Sequence, residues 1–442
     1  MTGYLKYLLA HSASSANILA VTSVCNVACI FCSHRHNPAA VKTYRIPPLS
    51  REEVRELAGF LDPERRIVIG ESISRLEEGE PFSHPEFLAI LQDLRWRMPD
   101  TPIQVTTNGS LLTRETVRKL ADLGRIEINL SLNSATLCGR LKLMQDRQAP
   151  VALESPELLY QYGIPYHGSL VAMPHIAGWE DVFATCHYLD DNRADTIRLF
   201  IPGYTRYAPD SCRYPRDLIG ELRQQGQRTA AELQTPLTIE PFVPEDTQPE
   251  VAGVIAGSPA AVSGIQRGDV IRTVNGQSVR SRVETFQAVS QATSPVSIEL
   301  ERSGQRFSAV ISQSQHQRPG LVMYHDIDYS LVDRILSTIR SKQAGRTLLL
   351  TSESAHPLWQ KVWQDEPGVI TAGVPAEFFG GVIQAAGLLT VSDYQAVLDA
   401  KLADVNPQLI CIPQISFDAA GKDLTGQSYL ETDTKGTEIV LL

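Results

Sequence analysis

Residues 18–32 read ILAVTSVCNVACIFC. The apolar, β-branched run at 18–24 predicts a buried strand. Three cysteines follow it, Cys25, Cys29 and Cys32, spaced C-x3-C-x2-C on the loop at the strand's end. Thiolates at i, i+4 and i+7 of a tight loop converge, and soft thiolate is the natural ligand of iron–sulfur clusters. Zinc is the rival. A structural zinc site closes four ligands, usually in paired C-x2-C knuckles, and here only His34 or His36 could complete the set. On a four-iron cluster, three cysteines leave one iron open to another ligand.

Downstream, strand patterns recur at 67–69, 103–107, 126–131, 167–172 and 196–201. Helical patterns lie between them at 51–61 (behind the cap Ser50), 85–97, 114–123 and 179–189. Strands separated by helices predict a parallel sheet with its chemistry at the C-terminal strand ends, here a partial barrel of about six βα units. Pro236, Pro241, Pro244 and Pro249 then read as a stiff linker. Short alternating strands such as 296–300 and 307–311 fill a small, mainly β segment, and a polar linker at 312–320 leads into a last α/β piece. The expected domains are 1–240, 250–313 and 320–442.

The cysteine motif, with the aromatic Phe31 before its last cysteine, resembles that of the radical S-adenosylmethionine (SAM) superfamily. The closest look is to the branch of molybdopterin-synthesis and nitrogenase-cofactor maturation enzymes, over residues 15–235. The resemblance implies a [4Fe–4S] cluster on Cys25, Cys29 and Cys32, and SAM as its partner. Gly79-Glu80-Pro81 resembles the superfamily's G-G-E-P segment, with Glu78 standing in the first glycine's place. Thr107 and Asn108 lie in a T-N-G-like strand end, and Ser131 and Asn133 lie where S-L-N reaches SAM. Phe31, Gly79, Glu80, Pro81, Thr107, Asn108, Ser131 and Asn133 are thus the expected SAM-binding residues, with Glu80 ahead of Glu78. A reductant such as flavodoxin or ferredoxin is implied too. Cys138, Cys186, Cys212 and Cys411 have no knuckle spacing and read as buried small residues; the first three could alternatively serve an auxiliary cluster.

Residues 251–283 resemble a bacterial PDZ domain, through Ser258-Pro259-Ala260, Gly264, Gly268-Asp269-Val270-Ile271 and Val274-Asn275-Gly276. That implies a protein or peptide client added as a strand to a groove beside residues 251–255. Phe378-Phe379-Gly380-Gly381 and Gly387-Leu388-Leu389-Thr390 resemble a domain of unknown function that accompanies PDZ modules in predicted iron–sulfur oxidoreductases.

Composition bounds the partners. The 442 residues carry a net charge of −10, which disfavours a nucleic-acid backbone as ligand. No apolar run approaches the roughly 18 residues of a membrane span. Seven cysteines, an odd number with three crowded into eight residues, suit a reduced, cytoplasmic metal protein better than a disulfide framework. The expected function is a radical SAM enzyme that cleaves SAM reductively and modifies a protein, a peptide or a cofactor precursor. The alternative is an iron–sulfur scaffold or carrier whose PDZ segment recruits a client.

Overall fold

The computed structural model describes residues 3–32, 34–71, 75–314 and 317–442. The chain forms two compact units, residues 1–240 and 241–442.

The first unit contains α1 (Gly3–Ala16), α2 (Arg51–Ala58), β1 (Ile67–Ile69), α3 (Phe87–Arg97), β2 (Ile103–Thr107), α4 (Arg114–Leu123), β3 (Ile126–Ser131), α5 (Leu137–Met144) and α6 (Ala149–Gln161). It continues with β4 (Tyr166–Val171), α7 (Pro174–Ala177), α8 (Trp179–Asp191), β5 (Thr196–Phe200), α9 (Asp217–Glu232) and β6 (Leu237–Glu240). The six strands are parallel and lie in chain order, β1 to β6. Right-handed crossovers in unbroken order put the connecting helices on one face, as in barrel folds. Ile128, Leu130, Leu170, Ile197 and Leu199 point to that face and are buried in the main core. A Cβ on Gly168 would sit 2.7 Å from Leu189 of α8, which shows how closely helix and sheet pack. The alternate residues, among them Gln104, Glu127, Asn129, His167 and Ser169, turn to the other face, which is polar.

Two sequence expectations need correction. Residues 18–24 are extended but form no strand of the sheet, making only an isolated bridge, Ile18 to Val68. The segment changes partners along its length. Leu19 N–H bonds Val68 O, then Val21 O accepts from Leu49 N–H, and Ser23 N–H bonds Ile46 O. The sixth strand is instead β6, which lies in the region expected to be linker; its flanking prolines, Pro236 and Pro241, bracket the strand rather than break it.

The second unit opens with β7 (Gly253–Val254), α10 (Pro259–Val262), β8 (Val270–Val274), β9 (Gln277–Ser278), α11 (Arg282–Gln291), β10 (Val296–Arg302), β11 (Gln305–Ile311) and β12 (Leu321–Val322). Here β11, β10, β8 and β9 form one antiparallel sheet, and β12 pairs with β7. The expected peptide groove beside residues 251–255 is partly taken up by the chain itself. Val251 N–H bonds Asp269 O and Gly268 N–H bonds Val251 O on one edge. On the other, Ala252 N–H bonds Val322 O and Ile255 N–H bonds Gly320 O.

The unit ends with α12 (Tyr329–Ser341), β13 (Thr347–Ser352), α13 (His356–Val362), β14 (Val369–Val374), α14 (Val391–Val405), β15 (Leu409–Ile412) and β16 (Glu438–Leu441). These four strands are parallel in the order β14-β13-β15-β16. Phe379 is buried there, while Gly380 and Gly381 adopt φ of 62° and 67°, a left-handed turn that favours glycine. Among the described residues no helix is long and apolar enough to cross a membrane.

Candidate functional site

At the C-terminal strand ends of the first unit lies a cavity of about 800 Å³. Its lining includes Cys25, Cys29, Cys32, Phe31, Glu78 and Ser131. All the other sequence-predicted SAM residues line it too, except Pro81, which is buried in a short turn at residues 81–83.

The cysteine loop is seated on α5. Ala28 N–H bonds Met144 O and Ile30 N–H bonds Leu143 O, at 2.8 and 2.9 Å. Val27, Cys29, Ile30 and Phe31 pack on Leu143, Met144 and Met173 beneath. Burial, then the charges of Cys25 and Cys32, pushes the Cys29 thiol up to about 12, against the pull of Arg140; Cys25 is raised chiefly by burial. Thiols in this setting ionise when a cation takes the proton's place. The three lie close enough to act on one another electrostatically, although among the described residues no group of three or more His, Cys, Asp and Glu side chains is arranged around a single metal ion. A four-iron cluster makes no such demand, since each thiolate takes a different iron, so this donor set facing an open cavity fits the cluster.

The glycine–acid segment is joined directly to this loop. Gly79 N–H bonds Thr22 O, and Glu80 N–H bonds Val24 O. A Cβ on Gly79 would lie 2.3 Å from Val24 O, so only glycine fits. The glycine that stands against Pro81 is Gly70, at the end of β1. Its φ is 87°, and a Cβ there would meet Thr106 O at 2.4 Å and Pro81 Cγ at 2.9 Å. Gly70 and Gly79 are thus both close-approach glycines, one before Glu71 and the other just after Glu78. The segment before Glu78 is held by residues 43–44: Tyr44 N–H bonds Arg75 O, Glu77 N–H bonds Tyr44 O, and Thr43 donates to the Glu77 carboxylate at 2.8 Å.

Glu80 is occupied within the protein. Its carboxylate accepts from Thr107 Oγ1 and from Asn108 N–H, each at 2.7 Å, and from Phe82 N–H at 3.2 Å. Burial still outweighs these bonds and raises its carboxyl to about 7. Asn108 Nδ2 reaches Asn26 beside Cys25 at 2.9 Å. Asn133, at φ 62°, donates to Ser131 O and accepts from Val171 N–H. Thr107, Asn108 and Asn133 therefore set the shape of the strand ends, with their side chains already partnered.

Arg140 was not foreseen. Fully buried on α5, it donates to Asp146 Oδ2 at 2.8 and 2.6 Å, to Leu132 O past the end of β3, and to Asn108 O past the end of β2. It thereby ties both strand ends to the helix under the cysteine loop. A lone arginine in the apolar run Leu137–Met144, six residues before an aspartate, was the available signal. The other cysteines stay apart: Cys138 is exposed, Cys186 and Cys411 are buried in separate cores, and Cys212 Sγ contacts Ile30 O at 3.6 Å. His34 lines the cavity, and His36 Nε2 lies 3.0 Å from Ile30 O.

Comparison with known proteins agrees with this geometry. GTP 3',8-cyclase of Yersinia pestis is 31% identical over 117 residues, 26% of this chain and 33% of the relative. The GTP 3',8-cyclase of a Klebsiella pneumoniae strain is 33% identical over 117 residues, with the same coverage. The chain thus spans about a third of the length of the curated relatives it matches. Streptococcus suis SuiB bound to S-adenosylmethionine shares 15% identity over 50% of each chain, with a TM-score of 0.39. Residues 250–302 match the family model of a PDZ domain. Residues 19–188, which hold all three loop cysteines and the strand ends around them, match the model of the Radical SAM superfamily, whose members bind a [4Fe–4S] cluster and SAM; the chain carries a radical SAM domain followed by a PDZ domain.

Proposed function

We propose that this chain is a radical SAM enzyme that modifies a protein or peptide client, with Cys25, Cys29 and Cys32 as ligands to three irons of a [4Fe–4S] cluster. When bound, the cluster supplies the electron that splits SAM into methionine and a 5′-deoxyadenosyl radical. The chain's own residues do the rest. The Glu80–Thr107–Asn108 hub fixes the cysteine loop to the end of β2, and Arg140 holds the ends of β2 and β3 in register. Ser131 and Ser169, whose hydroxyls lie 3.4 Å apart, present polar groups to the cavity. The observation that carries the reading is the shared cavity: the three thiols open onto strand ends that still have room and polar groups for a second ligand. A carrier that only holds and passes on a cluster has no use for that space.

The test is product formation. With dithionite and SAM, the anaerobically reconstituted protein should release 5′-deoxyadenosine, and Cys29→Ser should lose both the iron and the product. A fully loaded, reduced sample that yields none favours the carrier.

The client is read as docking on a strand edge. β7 and β12 each pair on one side alone in their two-stranded sheet, and on the free side of β7 the neighbouring Val251 is already bonded to Gly268 and Asp269. An extended peptide is read here as adding to the outer edge of β12, through main-chain hydrogen bonds. Met323→Pro, at the next position, where alternation turns the N–H away from β7, should weaken client binding and leave 5′-deoxyadenosine formation intact. Equal client binding by that variant would remove the peptide reading.

A further inference from the structure

Among the described residues, both carboxylate oxygens of Glu78 are buried and neither has a hydrogen-bond partner. Native proteins pair their buried polar groups, and an orphaned carboxylate is among the most costly exceptions. The neighbouring charges give no relief. The Arg45 side chain pairs with Glu77 at 3.3 Å, Arg198 with Glu240 at 2.8 Å, and Arg140 with Asp146 at 2.6 Å, while Arg35, which also lines the cavity, donates to Ala28 O at 2.9 Å. The charge that acts on it is another acid, Glu71. Glu71 has a partner, since Asn129 Nδ2 donates to it at 3.2 Å. Glu78 does not. It directly precedes Gly79 and lines the cavity that holds the three cysteines.

We propose that Glu78 is the receptor for a protonated amine, delivered by the ligand that fills this cavity. An ammonium group offers donors to both free oxygens and neutralises the charge that burial makes costly. Glu80, two residues on, cannot serve in the same way, because its oxygens already take three donors from the protein. Two ligands could bring the amine: SAM, through its α-ammonium group, or the substrate. The inference rests on the reading of the cavity as a SAM site only for the first of these.

The experiment compares the wild-type protein with Glu78→Gln, which keeps the shape and removes the charge. Both are reconstituted, and equal iron content establishes that the variant has folded; Glu78→Ser replaces it if iron is lost. Each is titrated with SAM and with 5′-methylthioadenosine, which keeps the nucleoside and sulfur but lacks the amino acid. Each is also melted in n-butylammonium chloride and in sodium chloride at equal ionic strength. A loss of about tenfold or more in SAM affinity, with methylthioadenosine unchanged, assigns Glu78 to the SAM ammonium group. Equal SAM affinity, with butylammonium raising the melting temperature of the wild type alone, assigns it to a substrate amine. If neither SAM affinity nor the butylammonium response differs between the proteins, the proposal is overturned, while SAM binding by both leaves the radical SAM reading standing. A wild-type protein that binds no SAM defeats that reading instead, and the butylammonium arm alone then decides this one.

Discussion

The polar face of the first sheet has two ends, and they are built on opposite rules. Toward the N-terminal strand ends the groups satisfy one another. Gln104 donates to Glu127 and Asn129, His167 bridges Glu127 and Thr196, and Arg66 also donates to Glu127. Toward the C-terminal ends, along the same strands, Glu78 has no partner and three thiols face a cavity. A closed polar cluster supports a fold, whereas groups left open imply something that is to come. The chemistry of a sheet face is therefore read from which groups remain unsatisfied rather than from how many are polar.

Breaking the Arg140–Asp146 pair should have the largest effect on stability. The pair is closed, like the N-terminal cluster, but it sits under the open end. Arg140→Met leaves Asp146 buried with no counter-charge, which costs about 3–5 kcal/mol. Urea denaturation should show that loss, and Arg140→Met combined with Asp146→Leu should recover part of it. A loss under about 1 kcal/mol would mean that the strand ends hold themselves.

Much of this was legible in the sequence, for physical reasons. The strands at 67–69, 103–107 and 126–131 carried β-branched runs between capped helices, and they appear as expected. The cysteine spacing and the PDZ turn glycines are local signals, and both domains are there. What failed was non-local. Residues 18–24 look like a strand, yet their backbone is shared among three segments distant in sequence. The split between Gly70 and Gly79 was hidden because a contact between Gly70 and Pro81 leaves no mark on spacing. β12 fell in the expected C-terminal α/β piece because its partner, β7, lies more than sixty residues upstream.

The second test of the comparison uses pH. Burial, then the charge of Glu71, raises the Glu78 carboxyl to about 8 from its ordinary 4.5. For an acid raised in this way, the folded form keeps a proton that the unfolded chain has released. The penalty is absent below about 4.5, grows as pH rises, and is complete above about 8. The slope approaches 1.4 kcal/mol per pH unit at most. Removing Glu78 should therefore help more at pH 7.5 than at pH 5.5, by an upper bound of about 3 kcal/mol. Urea melts of the ligand-free protein and Glu78→Gln at both pH values measure this. Parallel curves would show that water or a cation already serves Glu78, and that the open end is less open than its geometry.

The smallest expected effect belongs to Glu80, although it matches the family pattern better than Glu78. Two opposing terms meet there. Glu80→Gln puts an amide Nε2 where a carboxylate oxygen accepted, so one of the donors, Asn108 N–H or Thr107 Oγ1, loses its acceptor. That alone costs roughly 1–3 kcal/mol. The same change removes a buried carboxylate whose ionised form is disfavoured by burial, which raises its carboxyl to about 7. The second term offsets part of the first, so the net loss in urea at pH 7.5 should fall near the low end of that range. Iron content should be unchanged, because the cysteine loop keeps its bonds to Leu143 and Met144. SAM affinity should fall less in Glu80→Gln than in Glu78→Gln if SAM brings the amine, since Glu80 would then act only by holding the end of β2 in place. A larger loss for Glu80→Gln, with its stability intact, would place the carboxylate that meets SAM at position 80 and return Glu78 to the closed side of the comparison.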